Sequence, residues 1–270
     1  MTLHSPASLV AVDVGNTKIH VGVFGPAQGG LPRPLESLQL LGRDATLETL
    51  APWIRTHAGD CDEWMLTSVN SPSAERVESH LVEHFPRVRL TKLTYADAPL
   101  VLDVEFPERV GIDRLMAAVA VNALRDARRP AMVICAGTAI TVNLVAASGA
   151  FQGGAILPGM AMASQILDRY TDKLPWIDTD FLHGPPAVGK NTQAALASGI
   201  YWGTVGALTT LIERIAATTG GHPQVFITGG DAPRLATQLP AARHVPDLVL
   251  SGIAITAQHL RDKQHGEGGA

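Results

Sequence analysis

The chain has 270 residues, of which 46% are hydrophobic and only 17% charged, against a usual ~25% charged. This composition excludes an intrinsically disordered chain, which needs low hydrophobicity and high net charge. A net charge of −4 without a basic block gives no nucleic-acid footprint, and two cysteines provide neither a disulfide framework nor a ligand cluster.

The sequence also lacks the patterns that predict a membrane span or a secretory signal. No uninterrupted apolar run approaches the ~18 residues of a membrane span. The first residues, 1–6, lack the basic and apolar regions of a secretory signal. We therefore expect a cytoplasmic protein that has no membrane or nucleic-acid partner.

The predicted elements alternate between strands and helices, which indicates an α/β fold. Apolar and alternating runs predict strands at 9–12, 19–23, 64–69, 88–93, 131–134, 140–145, 151–157 and 224–228. Helical patterns are present at 47–57, 73–85, 111–127 and 194–216, with a possible break at Gly203 or Gly206, and in a short segment that contains Arg234. We expect a loop at 25–34 and mobile last residues in the polar, Gly-rich tail after His259.

The chain contains an internal echo. Residues 12–21 match residues 134–143 when shifted by 122 positions. Both segments have an apolar strand, a small or polar residue, a Gly turn with hydroxyl or amide groups, and a β-branched strand. The echo predicts two related lobes that face one another.

The first echo segment, 13–18, has the composition of a phosphate-binding turn. Gly15 leaves successive backbone N–H groups open to an anion, while Asn16, Thr17 and Lys18 add donors and charge. Asp13 at the strand end can hold a hydrated Mg²⁺ that bridges phosphates. An ordinary Gly-Asn hairpin with a solvated Asp is the alternative.

Two later turns are weaker signals taken singly. Gly137-Thr138 with Thr141 echoes the first turn, and a pair of opposed phosphate hairpins would form a clamp. The Gly pair 229–230, in Thr228–Asp231, permits close approach of a flat group such as adenine. A plain strand-to-helix turn explains this second segment equally well.

Gly111-Ile112-Asp113-Arg114 places a carboxylate beside a guanidinium at a helix start. Arg114 could pair with a substrate carboxylate, and Asp113 could accept the proton of an attacking hydroxyl. Plain helix capping is the alternative, because acidic residues are favoured in the first turn.

Two further patterns are rejected as sites. Residues 184–191 nearly fit a P-loop, but Asn191 replaces its Ser/Thr and two prolines remove N–H groups. His80 and His84 have a metal-binding spacing, but no third ligand is evident nearby, so a solvated helix face is the better interpretation.

Taken together, the motifs resemble the type III pantothenate kinases of the acetate kinase/sugar kinase/Hsp70/actin superfamily. In chain order, the matching segments are 13–17, 111–114, 137–139 with Thr141, 153–156 before Pro158-Gly159, 189–192 and 229–230. The resemblance implies two similar actin-like (ribonuclease H-like) lobes with a cleft between them. We expect the first lobe at 1–115, with the first phosphate motif, and the second at 116–270, with the second phosphate and adenosine motifs.

The resemblance also implies roles. Asp113 would be the general base on pantothenate, and Thr192 would contact pantothenate, across the interface of a homodimer. Asp13 would organise Mg²⁺, and Thr138 would contact ATP. The remaining residues would line the pantothenate site (Gly111, Ile112 and Arg114, the last near the carboxylate) or bind ATP phosphates (Val14, Gly15, Asn16, Thr17, Lys18, Ile19 and His20).

Three positions depart from the family pattern. Cys135 stands where the family usually has an Asp that helps bind a monovalent cation, K⁺ or NH₄⁺, and a thiol is a poor ligand for K⁺. Val104 stands where a Tyr is usual, and Asn143 where an acidic residue is common. The leading hypothesis is ATP-dependent phosphorylation of pantothenate, the first step of coenzyme A synthesis. A kinase for another small hydroxy acid and a non-catalytic nucleotide-binding regulator are the alternatives.

Overall fold

A computed structural model describes residues 7–26, 29–41, 47–180, 182–220 and 222–267. The start of the chain (1–6), part of the predicted loop (27–28) and the end of the Gly-rich tail (268–270) lie outside the described residues.

The contacts divide the chain into two compact units. Unit 1 comprises Met1–Val101, Glu105–Leu124 and Asp247–Ala270, and unit 2 comprises Leu102–Val104 and Arg125–Pro246. This division differs from the boundary expected at 115/116, which falls inside a helix. The C-terminal segment belongs with unit 1 because its helix packs on that unit's sheet and on the helix that begins at Ile112.

Unit 1 is built on a mixed five-stranded sheet in the order β3-β2-β1-β4-β5. The antiparallel β1–β2 hairpin pairs with β3, whereas β4 and β5 run parallel to β1. Its strands are β1 (Leu9–Val14), β2 (Lys18–Phe24), β3 (Glu36–Leu41), β4 (Glu63–Ser68) and β5 (Arg89–Lys92).

In the described residues, four α-helices complete unit 1, and two of them, 50–58 and 71–84, bury a core of aliphatic side chains with the fully buried Trp64. The four helices are α1 (Leu50–Ala58), α2 (Ser71–His84), α3 (Ile112–Leu124) and α7 (Leu248–Glu267). Two glycines permit the close packing of α7. A Cβ on Gly252 would lie 1.9 Å from the carbonyl oxygen of Met116 on α3, and one on Gly22 of β2 would lie 2.9 Å from Leu250.

Unit 2 repeats the same sheet plan. Its order is β10-β9-β6-β7-β8, in which β7 and β8 are antiparallel and β9 and β10 follow parallel to β6. The strands are β6 (Ala131–Ala136), β7 (Ala139–Val145), β8 (Phe151–Pro158), β9 (Gln224–Thr228) and β10 (Ala242–His244), and the helices are α4 (Met160–Tyr170), α5 (Thr192–Thr218) and α6 (Ala232–Ala236).

The two sheets confirm the internal echo and refine its alignment. β1 corresponds to β6 with the predicted offset of 122, so that Asp13 corresponds to Cys135. Asp13 pairs with His20 in the first hairpin, whereas Cys135 pairs with Thr141 in the second. The second turn is therefore one residue shorter, and the offset falls to 121 on the returning strand.

The predicted elements are largely confirmed, with two corrections. Helix α3 ends at Leu124 rather than near residue 127, because Arg125 bonds the carbonyl oxygens of the following turn. Helix α5 is continuous through Gly203 and Gly206, since a helical Gly costs only ~1 kcal/mol and this helix buries Tyr201 among other apolar side chains. The described part of the polar tail is helical as far as Glu267, and the last residues, which the sequence predicts to be mobile, lie outside the described residues.

Four strands and helices escaped prediction, namely β3, α4, β10 and α7. Helix α5 also passes the length and composition test for a membrane span, although 39% of its most apolar stretch is buried inside the protein. Its Leu196, Ile200 and Leu208 belong to the core of unit 2. A core helix of a soluble protein passes the same test.

Candidate active site

The β1–β2 turn in unit 1 presents the first predicted phosphate motif. Gly15 donates its backbone N–H to the carbonyl oxygen of Lys18 at 2.9 Å and so closes a tight turn. A Cβ on Gly15 would approach that oxygen to 3.1 Å, which explains the glycine. Asn16, Thr17 and Lys18 are exposed at the tip, whereas Val14 and Ile19 anchor the strands in the core.

Asp13, at the end of β1, is a partly buried carboxylate with a defined partner. The fully buried Thr67 on the neighbouring β4 donates a hydrogen bond of 2.9 Å to Asp13 Oδ1. Burial raises the pKa of Asp13 to about 7, and the nearby carboxylate of Asp113 contributes to that rise. The Thr67 hydrogen bond and the charge of His20 oppose it. The structure thus brings Asp13 and Asp113 into electrostatic range within one unit.

His20 lies opposite Asp13 in the sheet register, on the returning strand of the hairpin. Its Nε2 is buried and lies 3.2 Å from Asp247 Oδ1, although the approach lacks hydrogen-bond geometry. Asp247 directly precedes α7 and has φ 57°, which makes it the only non-glycine residue with positive φ in the described ranges.

The Gly111–Arg114 motif forms the start of α3. The backbone N–H of Arg114 donates to Asp113 Oδ1 at 2.8 Å, so the carboxylate folds back over the first turn. A Cβ on Gly111 would lie 2.6 Å from the same oxygen, and only glycine accommodates this arrangement. Burial raises the pKa of Asp113, and the N–H and charge of Arg114 offset part of that rise.

A cavity of about 550 Å³ opens beside this motif within unit 1. Gly111 and Ile112 line it together with Thr94, Tyr95 and Arg109, among others. The guanidinium of Arg109 also lies over the Phe106 ring, 4.7 Å from its centroid. The cavity therefore combines hydroxyl groups, the Arg109 cation, the Glu108 carboxylate and apolar surface beside the start of α3.

Unit 2 gathers three predicted motifs around the turn at Gly137-Thr138. A Cβ on Gly159 would lie 2.1 Å from the carbonyl oxygen of Gly137, and the Gly159 N–H donates to the Thr138 carbonyl oxygen at 3.0 Å. Gly229, with φ 102°, packs equally closely on Ala136 of β6. The predicted second phosphate motif at Gly137-Thr138, the Pro158-Gly159 stretch and the turn at Gly229-Gly230 thus lie next to one another.

Cys135 occupies the position in unit 2 that Asp13 occupies in unit 1. Its register partners are Thr141 and Thr228, as those of Asp13 are His20 and Thr67. The side chain is a thiol rather than part of a disulfide. The position therefore offers sulfur where its counterpart offers carboxylate oxygen.

The other two departures also lie in unit 2. Asn143 is fully buried on β7, and its amide donates to the Thr141 hydroxyl at 3.0 Å. Val104 lies next to Gly153, where a Cβ would meet its side chain at 3.5 Å. Val104 therefore lies near β8 in unit 2, whereas Gly111 belongs to unit 1.

Thr192 is the exposed first residue of α5, after Asn191 caps the helix by accepting from the Ala194 N–H at 2.8 Å. Among the residues that the structure describes, no strand leads into 184–191, and two α5 side chains, Ser198 and Trp202, donate to backbone carbonyls of this segment. These contacts give the segment a structural role against α5, and its rejection as a P-loop stays a prediction.

Arg234 stabilises the segment that follows the turn at Gly229-Gly230. Its guanidinium is buried and binds the Asp231 carboxylate, the carbonyl oxygen of Thr179 and the carboxylate of Asp180. The backbone of Arg234 in turn accepts a hydrogen bond from the Tyr201 hydroxyl on α5. This ion pair fixes the loop at 179–180 against the turn.

The described residues contain no group of three or more His, Cys, Asp or Glu side chains that could hold a metal ion. The rings of His80 and His84 stack at 4.2 Å, and His84 Nδ1 lies 2.9 Å from the His80 carbonyl oxygen. The interpretation of the pair as a helix face rather than a metal site stays a prediction.

Comparison with known proteins decides the family. The family model of the type III pantothenate kinases matches residues 9–214. A type III pantothenate kinase of Rhodopirellula baltica is 37% identical over 257 residues, which cover 86% of this chain and 91% of the relative. One of Dehalococcoides mccartyi is 31% identical over 254 residues, covering 93% and 95%. The chain belongs to the type III pantothenate kinase family.

Solved structures agree on the fold. A Campylobacter jejuni protein assigned to the Baf family of transcriptional activators aligns with a TM-score of 0.61 and 18% identity, over 94% of this chain and 99% of that one. The activator of 2-hydroxyisocaproyl-CoA dehydratase from Clostridium difficile aligns at 0.54 and 12%, over 95% and 97%. At such identities these likenesses support the actin-like α/β fold that type III pantothenate kinases share, and nothing further.

Sequence reasoning located the motifs of this type III pantothenate kinase but missed Thr67 and Asp247. Thr67 could have been found, because it ends an apolar strand that a βαβ arrangement places beside β1. Asp247 carries no such signal, since its importance depends on how α7 packs against β2.

Proposed function

We propose that this member of the type III pantothenate kinase family transfers the γ-phosphoryl group of ATP to pantothenate and forms 4′-phosphopantothenate. The observation that carries the proposal is the pair of carboxylates in unit 1, Asp13 and Asp113, each with a pKa raised by burial. Groups with such shifts are typical of catalytic sites. The names of the relatives supply the substrate.

Asp113 has the properties of a general base for the acceptor hydroxyl. A carboxylate with a raised pKa accepts a proton more readily than an ordinary one. Its position is fixed by the Arg114 N–H, so the ionised oxygen does not need to be reoriented during the reaction. The acceptor oxygen attacks the γ-phosphorus as Asp113 takes the proton, and ADP leaves.

The acceptor carboxylate is the natural partner of Arg114, which follows Asp113 directly. A guanidinium binds a carboxylate by two parallel hydrogen bonds and so fixes its orientation. Gly111 and Ile112 line the adjoining cavity, which suits the apolar and amide portions of pantothenate. Thr192 adds a pantothenate contact from a second copy of the chain.

The residues of the first hairpin, 13–20, fit the phosphates of ATP. The polar and charged side chains at the exposed tip, Asn16, Thr17 and Lys18, suit anionic oxygens. Two nearby carboxylates, Asp13 and Asp113, favour a cation in the same region, and Asp13 would hold Mg²⁺, whose charge stabilises the transferred phosphoryl group. In unit 2, Thr138 would contact ATP.

The position of Cys135 argues against a K⁺ or NH₄⁺ requirement. Hard monovalent cations prefer oxygen ligands, and the Cys135 side chain offers sulfur. Thr141 and Thr228 flank it in the sheet, but each offers a neutral hydroxyl rather than a carboxylate. We therefore propose that catalysis proceeds without monovalent-cation activation.

The protein is further proposed to act as a homodimer in the cytoplasm. Unit 2 exposes large apolar side chains that a partner copy would cover, with exposed fractions from 42% to 77%: Ile156, Ile166, Tyr170, Trp176 and Val188. A contiguous patch of such side chains is typical of a protein–protein interface. Light scattering on the purified chain would give twice the monomer mass, and a monomer would contradict this part of the proposal.

ADP release with and without pantothenate tests the activity. Pantothenate-dependent ADP formation supports the proposal. ADP formation with a different hydroxy acid alone would indicate another kinase of the same superfamily. ATP binding without any acceptor-dependent ADP would indicate a nucleotide-binding regulator.

A further inference from the structure

We propose that Asp247 is a positioning residue that fixes the orientation of the His20 ring on the phosphate-binding hairpin. The inference rests on the proposed function, because it concerns the ATP-binding side of the same site. Asp247 lies over 220 positions from His20 in sequence, outside every motif, and it comes to His20 through the packing of α7.

The backbone of Asp247 gives the first reason. A positive φ is costly for a residue with a side chain, and asparagine and aspartate tolerate it best. Asp247 adopts φ 57° at the start of α7, and its carbonyl oxygen accepts the first helical hydrogen bond, from Ser251 at 2.9 Å. A strained residue persists where the surroundings over-determine it, often at functional sites.

The packing around Asp247 gives the second reason. Leu250, one helical turn after Asp247, packs where Gly22, two residues after His20, leaves room on the same strand face. Further along α7, Gly252 lies against Met116 of α3. The first turn of α7 is thus fixed between β2 and α3, and the carboxylate has little freedom to leave His20.

The unsatisfied ring nitrogen gives the third reason. His20 Nε2 is buried and has no hydrogen bond among the described residues, although Asp247 Oδ1 lies 3.2 Å away. Buried polar atoms normally have a partner, and an exception calls for an explanation. A small rotation of the His20 ring would bring Nε2 and Asp247 Oδ1, which already lie at ion-pair distance, into hydrogen-bond geometry. ATP binding at the adjoining hairpin supplies a reason for that rotation.

His20 and Asp247 would therefore have different roles at the hairpin. His20 is the register partner of Asp13. The orientation of its ring therefore decides which ring atoms face Asp13 and the ATP phosphates at that end of the hairpin. Asp247 restricts the ring to orientations that point Nε2 away from bulk solvent. Asp247 contacts neither reacting atom itself, and it acts through His20.

The test combines Asp247→Asn, His20→Gln and the double variant. Asp247→Asn keeps the side-chain size and the tolerance of positive φ, but it removes the charge that faces His20. We expect kcat/KM for ATP to fall roughly tenfold to a hundredfold, the range for a misplaced site group, while KM for pantothenate stays unchanged. The double variant is expected to be no worse than the more damaged single variant, because both changes break one linkage.

Two controls separate positioning from folding. Asp247→Gly removes the φ strain, so it should preserve the melting temperature while it loses activity as Asp247→Asn does. Asp62→Asn breaks an exposed ion pair with Arg89 in the same unit and should leave the kinetics unchanged. Wild-type kinetics in Asp247→Asn, or losses that add up in the double variant, would overturn the proposal.

Calorimetric titration with Mg·ATP gives an acceptor-independent readout. Weaker ATP binding in both single variants, with no further loss in the double variant, supports the linkage even if no pantothenate-dependent ADP forms. Absence of ADP formation by the wild type would defeat the proposed function, whereas unchanged ATP affinity in Asp247→Asn would defeat the role of Asp247.

Discussion

Thr67 donates a hydrogen bond of 2.9 Å to Asp13 across two parallel strands, and the second sheet places Thr228 beside Cys135 in the same relation. The two units therefore share a threonine but differ in the residue beside it. A carboxylate is retained at the hairpin of unit 1, and a thiol stands in its place in unit 2. This asymmetry has a consequence for cation dependence.

Cys135→Asp should introduce stimulation by K⁺, because it adds a negatively charged carboxylate at a position that now offers a neutral thiol, whereas serine adds only a neutral hydroxyl. We expect the wild-type rate to be flat when K⁺ is exchanged for a large organic cation at constant ionic strength. Cys135→Ser is the matched control and should remain flat. Strong K⁺ activation of the wild type would mean that other oxygens in unit 2 supply the site.

Asp113→Asn should lower kcat by about 10²–10⁴, the usual contribution of general-base catalysis. The asparagine oxygen can still accept the Arg114 N–H, so the start of α3 and the melting temperature should be preserved. Steady-state ADP release measures the loss, and Mg·ATP affinity should be retained. Glu75→Gln, an exposed acid on α2, is the control, and near-normal turnover by Asp113→Asn would remove Asp113 from this role.

The pH dependence of kcat/KM should show an acidic limb at unusually high pH. Asp113 must be ionised to accept a proton, and burial raises its pKa, so activity is lost as the pH falls through that raised value. Asp13, with a pKa of about 7, contributes to the same limb. A pH–rate profile that stays flat down to the pKa of an ordinary aspartate would contradict the burial of both groups.

Asp13→Asn should stabilise the fold while abolishing activity. The pKa of Asp13 is about 7 in the folded protein and 3.8 when unperturbed, so folding is penalised once the carboxylate ionises. The penalty grows from about pH 4 to pH 7 and is complete above that, at no more than about 4 kcal/mol. Melting temperatures at pH 4 and pH 8 test it. The melting temperature of the variant should exceed that of the wild type only at pH 8. An equal increase at both pH values would point to an effect of packing instead.

Arg234→Met should destabilise unit 2 strongly. It leaves the Asp231 carboxylate without its buried partner, and breaking a buried pair costs about 3–5 kcal/mol. Urea denaturation measures the change, with the exposed Arg243→Met as the matched control. A loss below ~1 kcal/mol would show that the pair contributes no more than a surface salt bridge.

The sequence predicted most of this fold because its strands have the simplest pattern, short apolar runs bounded by turns. It also predicted both hairpins, since a glycine between two runs of β-branched residues is typical of a tight turn. β3 escaped because it is an edge strand with alternating, mostly exposed residues. α7 escaped because its apolar face is small at its C-terminal end, and its tail is polar.

The site was predictable where chemistry is local in sequence, as at Asp113 and Arg114. It was not predictable where the partner comes from tertiary packing. The hydrogen bond from Thr67 to Asp13 depends on which strand lies beside β1, and the approach of Asp247 to His20 depends on glycines at two helix and strand contacts. The one-residue difference between the two turns likewise became visible only in the strand register.

ADP release by the purified wild-type chain, measured with Mg·ATP in the presence and absence of pantothenate, tests the proposed kinase activity most directly. We predict ADP formation that depends on pantothenate, saturates with it, and yields one phosphorylated product per ADP. ATP turnover that is the same with and without pantothenate, or no turnover at all, would contradict the proposed activity.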